Sequence, residues 1–251
     1  MRKAFLAALA TTAILAPATS FADFKGWEGE LGLDYAMKRG NSYSNTLATR
    51  NLAERDTANW RHLAKAEALN EETRSGNSDP KERIEERYFG SYKLDRKVDE
   101  ANYIFNLINA EKDLFSGYNY QATYALGYGR RIIDNATHRL DIEAGPGFRV
   151  RELKQRPSDW SANKSRTEKD AIALVAARYR WDISETTRFR EDVSSELEDG
   201  STVTRAETSL TTKINTRLAL RLSHILRHNS KPGIDTRKSD QDILIGLVWT
   251  L

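Results

Sequence analysis

Residues 118–129, YNYQATYALGYG, constrain the fold more than any other stretch. Tyr118, Tyr120, Ala122, Tyr124, Leu126 and Tyr128 share one parity, and Asn119, Gln121, Thr123, Ala125, Gly127 and Gly129 share the other. A period of two means a strand with one apolar, tyrosine-rich face and one polar or side-chain-poor face. The run is long for a globular strand but matches the roughly 9–11 tilted residues that cross a bilayer. Tyrosines at both ends suit a lipid-facing row, because a ring with a polar tip sits well at headgroup level.

The chain opens with Arg2 and Lys3, an apolar run from Ala4 to Ala16, Pro17, and then Ser20-Phe21-Ala22 before Asp23. This predicts a cleaved signal peptide over 1–22 and a mature domain over 23–251; the apolar run is too short to span as a helix. Taking Arg2 and Lys3 from the 39 basic residues leaves 37 against 36 acidic ones. Net charge is then near zero, which gives no support to nucleic-acid binding. The absence of cysteine suits a barrel closed by its own ladder. The mean hydropathy of −0.66 resembles that of a soluble protein. Barrel strands evade that test, because half of each strand faces a polar lumen.

Alternation recurs along the whole mature chain. Trp27, Gly29, Leu31, Leu33, Tyr35 and Met37 oppose Glu28, Glu30, Gly32, Asp34 and Ala36. A charge at mid-bilayer costs about 2–4 kcal/mol, less for acids, so the acidic parity must point inward. Arg39 to Ser42 reads as a tight turn. A second strand around 44–52 has no clear face. Trp60, His62, Ala64, Ala66 and Ala68 alternate with Arg61, Leu63, Lys65 and Glu67. The fourth strand sets Ile84, Tyr88, Gly90, Tyr92 and Leu94 outward against Arg87, Ser91 and Lys93, with Glu86 out of pattern. A charged turn then leads to Tyr103, Phe105 and Leu107. The cleanest separation sets Leu140, Ile142, Ala144, Pro146, Phe148 and Val150 against Arg139, Asp141, Glu143, Gly145, Gly147, Arg149 and Arg151; Pro146 there requires a bulge or a lost ladder bond. Ala171 to Ile183, Ala206 to Ile214, Leu218 to Leu226 and Ile243 to Leu251 alternate likewise. The segment 187–195 is weaker, since Glu191 shares a parity with Phe189 and Val193.

The fold class is therefore all-β: a transmembrane, antiparallel, up-and-down β-barrel of about 12 strands. Long polar connections at 71–81, 152–169 and 228–240 follow odd-numbered strands and fall at one end, as in bacterial outer-membrane barrels. A lipocalin has fewer and shorter strands, and a sandwich would make its apolar rows one shared core.

The chain resembles the salt-induced outer-membrane proteins, the bacterial domain-of-unknown-function family 481. Trp27-x-Gly29-x-Leu31-Gly32 followed by Gly40-Asn41 carries the resemblance, with Asp113-x-Phe115-x-Gly117-Tyr118, Gly127-Tyr128-Gly129, Gly145-Pro146-Gly147-Phe148-Arg149 and the strand after Asp242. It implies residence in the outer membrane, among its lipid and lipopolysaccharide, after insertion by the barrel-assembly machinery, and a link to salt or envelope stress. Such barrels commonly end in an aromatic residue; this chain ends in Leu251, two positions after Trp249. The family has no established activity, so no functional residues carry over.

No catalytic, cofactor or metal site is expected. His224 and His228 stand about 13 Å apart along a strand and cannot share an ion. Ser223 and His224 point to opposite faces, so a lipid hydrolase would need a partner from another strand. The informative positions are the charges expected to line the lumen: Glu28, Glu30, Asp34, Glu67, Arg139, Asp141, Glu143, Arg149, Arg151, Arg178, Arg180, Arg188, Arg190, Arg205, Glu207, Arg217 and Arg221. They suit either a self-neutralising plug or a narrow pore whose arginine-rich second half favours small anions.

Overall fold

The computed structural model describes residues 26–38, 43–74, 82–116, 118–154, 167–231 and 238–250. The expected signal peptide, the turn at 39–42 and Leu251 lie outside these residues. Twelve strands follow in order: β1 (Glu28–Lys38), β2 (Tyr43–Asp56), β3 (Trp60–Arg74), β4 (Glu82–Lys97), β5 (Asn102–Asp113), β6 (Tyr118–Asp134), β7 (His138–Leu153), β8 (Thr167–Asp182), β9 (Thr187–Glu198), β10 (Ser201–Lys213), β11 (Leu218–Asn229) and β12 (Ser239–Thr250). Each pairs antiparallel with its neighbours in sequence, and β1 closes the ring on β12 with Leu33 opposite Leu247. Closure leaves no edge strand, the condition for burying a sheet in hydrocarbon.

One parity of each strand makes the outer wall. Leu33, Leu47, Ile104, Ile108, Leu126, Val175, Leu220, Leu222, Ile243 and Ile245 are exposed along it. Trp60, Tyr128, Trp181 and Trp249 stand toward one end, and Tyr35, Tyr88 and Tyr120 toward the other. An apolar band between two aromatic girdles is the surface a bilayer selects. The strands exceed the minimum span: β6 has 17 residues where about 9–11 suffice, so its ends stand clear of the hydrocarbon.

The strand ends joined by 75–81, 154–166 and 230–238 all lie at one end of the ring, here termed the loop end. The opposite, turn end carries five short turns, each built alike. Thr57, Asp99, Asn135, Ser184 and Asn215 accept backbone N–H bonds from residues two or three positions on. Such side-chain caps satisfy donors that the ladder leaves free.

Several strands differ from their reading in sequence. Ladder pairing carries β2, β3, β7, β8, β9 and β11 beyond the expected limits into segments whose polarity suggested loops. Tyr118 does not join the lipid-facing row, because the register with β7 shifts between Tyr118 and Tyr120. A bulge reverses side-chain parity, and Tyr118 turns inward to donate to Glu111 at 3.2 Å. Tyr103, Phe105 and Leu107 also face inward, while Ile104 and Ile108 take the lipid side. Glycines opposite make that room: a Cβ on Gly127 would overlap the Phe105 ring, and one on Gly129 the Tyr103 ring. Pro146 sits where the β6–β7 ladder lapses, between the pairs Tyr128–Ala144 and Ala125–Gly147, without a change of register. Glu191 remains in the outward row of β9, between Tyr179 and Thr208.

Candidate functional site: the charged lumen

Inward parity places charged side chains from every side of the ring into one interior, where each must find a partner or remain hydrated. At mid-height Asp34 is fully buried. Arg50 grips it with two bonds, Nε to Oδ2 at 2.9 Å and Nη2 to Oδ1 at 2.6 Å. The same guanidinium donates to Glu207 at 2.6 Å and to Ser223 at 3.0 Å. Arg221 reaches Asp34 at 3.4 Å and stands 3.7 Å from Glu30. Arg205 Nη2 donates to both Glu67 oxygens, at 2.7 and 2.8 Å, and the guanidinium lies over the Phe89 ring. Forked guanidinium–carboxylate pairs fix geometry as well as charge.

Arg50–Asp34 joins neighbouring strands, but other contacts cross the lumen. β3 and β9 stand opposite each other in the ring of twelve, yet Lys65 on β3 reaches Asp192 on β9 at 3.2 Å. Arg205 to Glu67 joins β10 to β3, and Arg50 to Glu207 joins β2 to β10. On the other half, Arg61 bonds Asp95 at 2.7 Å and stands 3.5 Å from Asp141, which also takes Arg131 at 3.0 Å. Glu143 is held by Lys93 and by the Tyr103 hydroxyl at 2.7 Å. Toward the loop end, the fully buried Arg149 joins Glu196 and Glu198, and Arg151 joins Glu198 and Asp170.

The structure thus brings most of the sequence-derived charges into one interior. Arg178 stands 3.4 Å from Asp192; Arg180 and Arg188 share Asp182; Arg139 takes Asp134 at the rim. Glu28, Glu30, Arg188 and Arg190 line a cavity of about 290 Å³ that opens at the turn end beside residues 184–187. Arg217 departs from expectation. It is exposed in the turn before β11, where Asn215 caps the chain, and its carbonyl accepts the Thr250 N–H at 2.9 Å. The alternation of β11 starts one residue later than it reads, at Leu218.

Other members were missed. Arg61, Lys65, Arg87 and Lys93 share the inward parity of residues already singled out, so pattern alone could have found them. Arg50 sits in the strand with no clear face. Asp192, Glu196 and Glu198 lie on the strand that Glu191 obscures, and the last two lie beyond its expected end. Ser223 points inward to Arg50, while His224 points outward to Gln241 at 3.2 Å and His228 to Ser239 at 2.8 Å, so Ser223 and His224 face opposite sides of the wall as neighbours in a strand do.

A closed twelve-strand ring with an apolar exterior and a charged interior is a transmembrane β-barrel. Within that class, the chain belongs to the family described as "Protein of unknown function, DUF481", whose profile matches residues 29–251. No curated protein matches it. Among solved structures it is similar to the NanC porin, at 11% identity and a TM-score of 0.51, covering 89% of this chain and 100% of that one. An outer membrane channel from Pseudomonas putida F1 follows at 9% identity and TM-score 0.48, covering 89% and 94%. The translocator domain of autotransporter NalP from Neisseria meningitidis stands at 10% and 0.47, covering 96% and 95%. At these identities the likeness is one of fold.

Proposed function

We propose that this protein is an outer-membrane barrel of the bacterial envelope whose lumen is closed by its own ion pairs. In this reading the loop end faces outward, the turn end faces the periplasm, and the exterior meets outer-membrane lipid and lipopolysaccharide after insertion by the assembly machinery. The observation that carries the closed lumen is the Lys65–Asp192 contact between opposite strands, with the Arg205–Glu67 and Arg50–Glu207 contacts beside it. These contacts obstruct the lumen at that height from strands on opposite sides of the ring. A second reading, a narrow channel for small anions, is favoured by the cavity at the turn end with Arg188 and Arg190 on its wall.

Planar bilayers holding the purified full chain separate the two. A closed barrel gives no stepwise current in symmetrical KCl; steady ohmic steps with an anion-biased reversal potential would establish the channel. The envelope-stress role implied by the family resemblance is tested by growth of a deletion strain in raised salt, where an unaltered growth curve removes it.

A further inference from the structure

We infer that the turn-end cavity is a binding site for a small polyvalent oxyanion, seated against arginines that the ladder register forces together. Arg139 on β7 stands opposite Arg180 on β8, and Arg180 stands opposite Arg190 on β9. All three lie on the inward parity, so one ladder row sets guanidinium groups on three adjacent strands about 4.8 Å apart. Arg188, two residues from Arg190, adds a fourth. Like charges directly opposite each other destabilise a sheet.

The neighbouring carboxylates do not neutralise this row, because each already serves two cations. Asp134 takes Arg139 at 3.4 Å and Arg131 at 3.1 Å. Asp182 takes Arg180 at 3.2 Å and Arg188 at 2.5 Å. Asp192 takes Lys65 at 3.2 Å and Arg178 at 3.4 Å. Arg190 forms no ion pair among the described residues, and Arg180 Nε is buried without a hydrogen bond although Asp182 lies near. Arg188 and Arg190 line the cavity, with the hydroxyls of Ser209 and Thr211 and the Lys213 ammonium on the same wall. Carboxylates line it too: Glu67, Asp182, Asp192 and Glu207 are each already paired with a cation, and Glu185 on the adjoining turn with Glu28 and Glu30 on β1 completes the acidic lining. The anion therefore sits against β9 and β10, where forked guanidinium donors and hydroxyls converge, a combination suited to phosphate or carboxylate oxygens.

Binding does not require conduction, so the site is independent of whether the lumen is closed; only the compartment supplying the ligand, the periplasm, is taken from the orientation proposed above. The test is calorimetric titration of the full chain in detergent micelles at low ionic strength, with inorganic pyrophosphate as the phosphate probe and citrate as the carboxylate probe. The expected result is saturable one-site binding of at least one probe, weakened at least about tenfold by Arg190→Gln and by Arg188→Gln, and unchanged by Arg151→Gln near the loop end. Whichever probe binds tighter identifies the ligand's acid group. No saturable heat from either probe overturns the inference, as does binding indifferent to Arg190→Gln. A second measurement needs no variant: the bound probe should protect wild-type Arg188 and Arg190 from phenylglyoxal, mapped by mass spectrometry, and absence of protection counts against the site.

Discussion

Single residues in this wall are chosen as much for the space they leave as for the contacts they make. Gly129 faces the Tyr103 ring so closely that a Cβ would overlap it, and Tyr103 is itself fixed by its bond to Glu143. Gly129→Ala should therefore cost about 1–3 kcal/mol by overpacking. Tyr103→Ala in the same chain should make the two losses less than additive, since the pair shares one volume. Urea unfolding in lipid vesicles reads both effects, and strict additivity would refute the shared-space account. In the turn 98–101, hydrogen bonds from the Asn102 amide and from the backbone N–H groups of Ala101 and Asn102 hold the Asp99 carboxyl below its ordinary range. A depressed folded-state pKa adds stability above the unfolded value, and that stability is lost as pH falls through the folded value. The midpoint advantage of wild type over Asp99→Ala should thus be full at pH 6 and shrink below about pH 4. A gap constant from pH 6 to pH 3 would exclude the effect.

At the scale of the strand, side-chain parity decides what a substitution costs. In β11, Leu222 faces lipid while its neighbours Arg221 and Ser223 face the Asp34–Arg50 cluster. Leu222→Arg should cost about 2–4 kcal/mol if that position lies near the bilayer midplane, read as a lowered unfolding midpoint; an unchanged midpoint would place the outer wall in water. Parity is legible in β1, β7 and β8, because charges keep to the inward row over 28–38, 139–151 and 171–182, although Ile172 and Leu174 share that row in β8. It misleads in β5, where Tyr103 and Phe105 look like lipid-facing residues but fill space vacated by Gly127 and Gly129 on the next strand. Such pairing depends on register, which no single strand encodes. Tyr118 misleads for a related reason, since a bulge that inverts parity leaves no mark in an alternating sequence. The turn caps are legible: a Thr, Asp, Asn or Ser begins each of the five turns, and their recurrence sets the strand ends more closely than loop polarity does.

For the whole molecule, alternation yields closure, and closure decides which charges meet. The sequence identifies an inward set of arginines and acids but not their pairing, because Lys65 and Asp192 are 127 positions apart and become partners only when the ring places β3 opposite β9. The same dependence makes the plug testable through one contact. Removing either partner alone leaves a poorly hydrated charge facing the remaining ions and should destabilise the barrel, whereas removing both spares that penalty. Lys65→Ser with Asp192→Ser should therefore unfold closer to wild type than either single change does. It also shortens two side chains that meet at the lumen's centre, while Arg178 keeps Glu143 as a nearby counter-charge. If these ion pairs close the lumen, the double variant should show current steps in planar bilayers where wild type shows none, with the arginine-rich wall favouring anions over cations. Steps of equal size in wild type and double variant would mean that ions pass around the bridge, and a silent double variant would shift the closure to the Arg50 and Arg205 contacts alone.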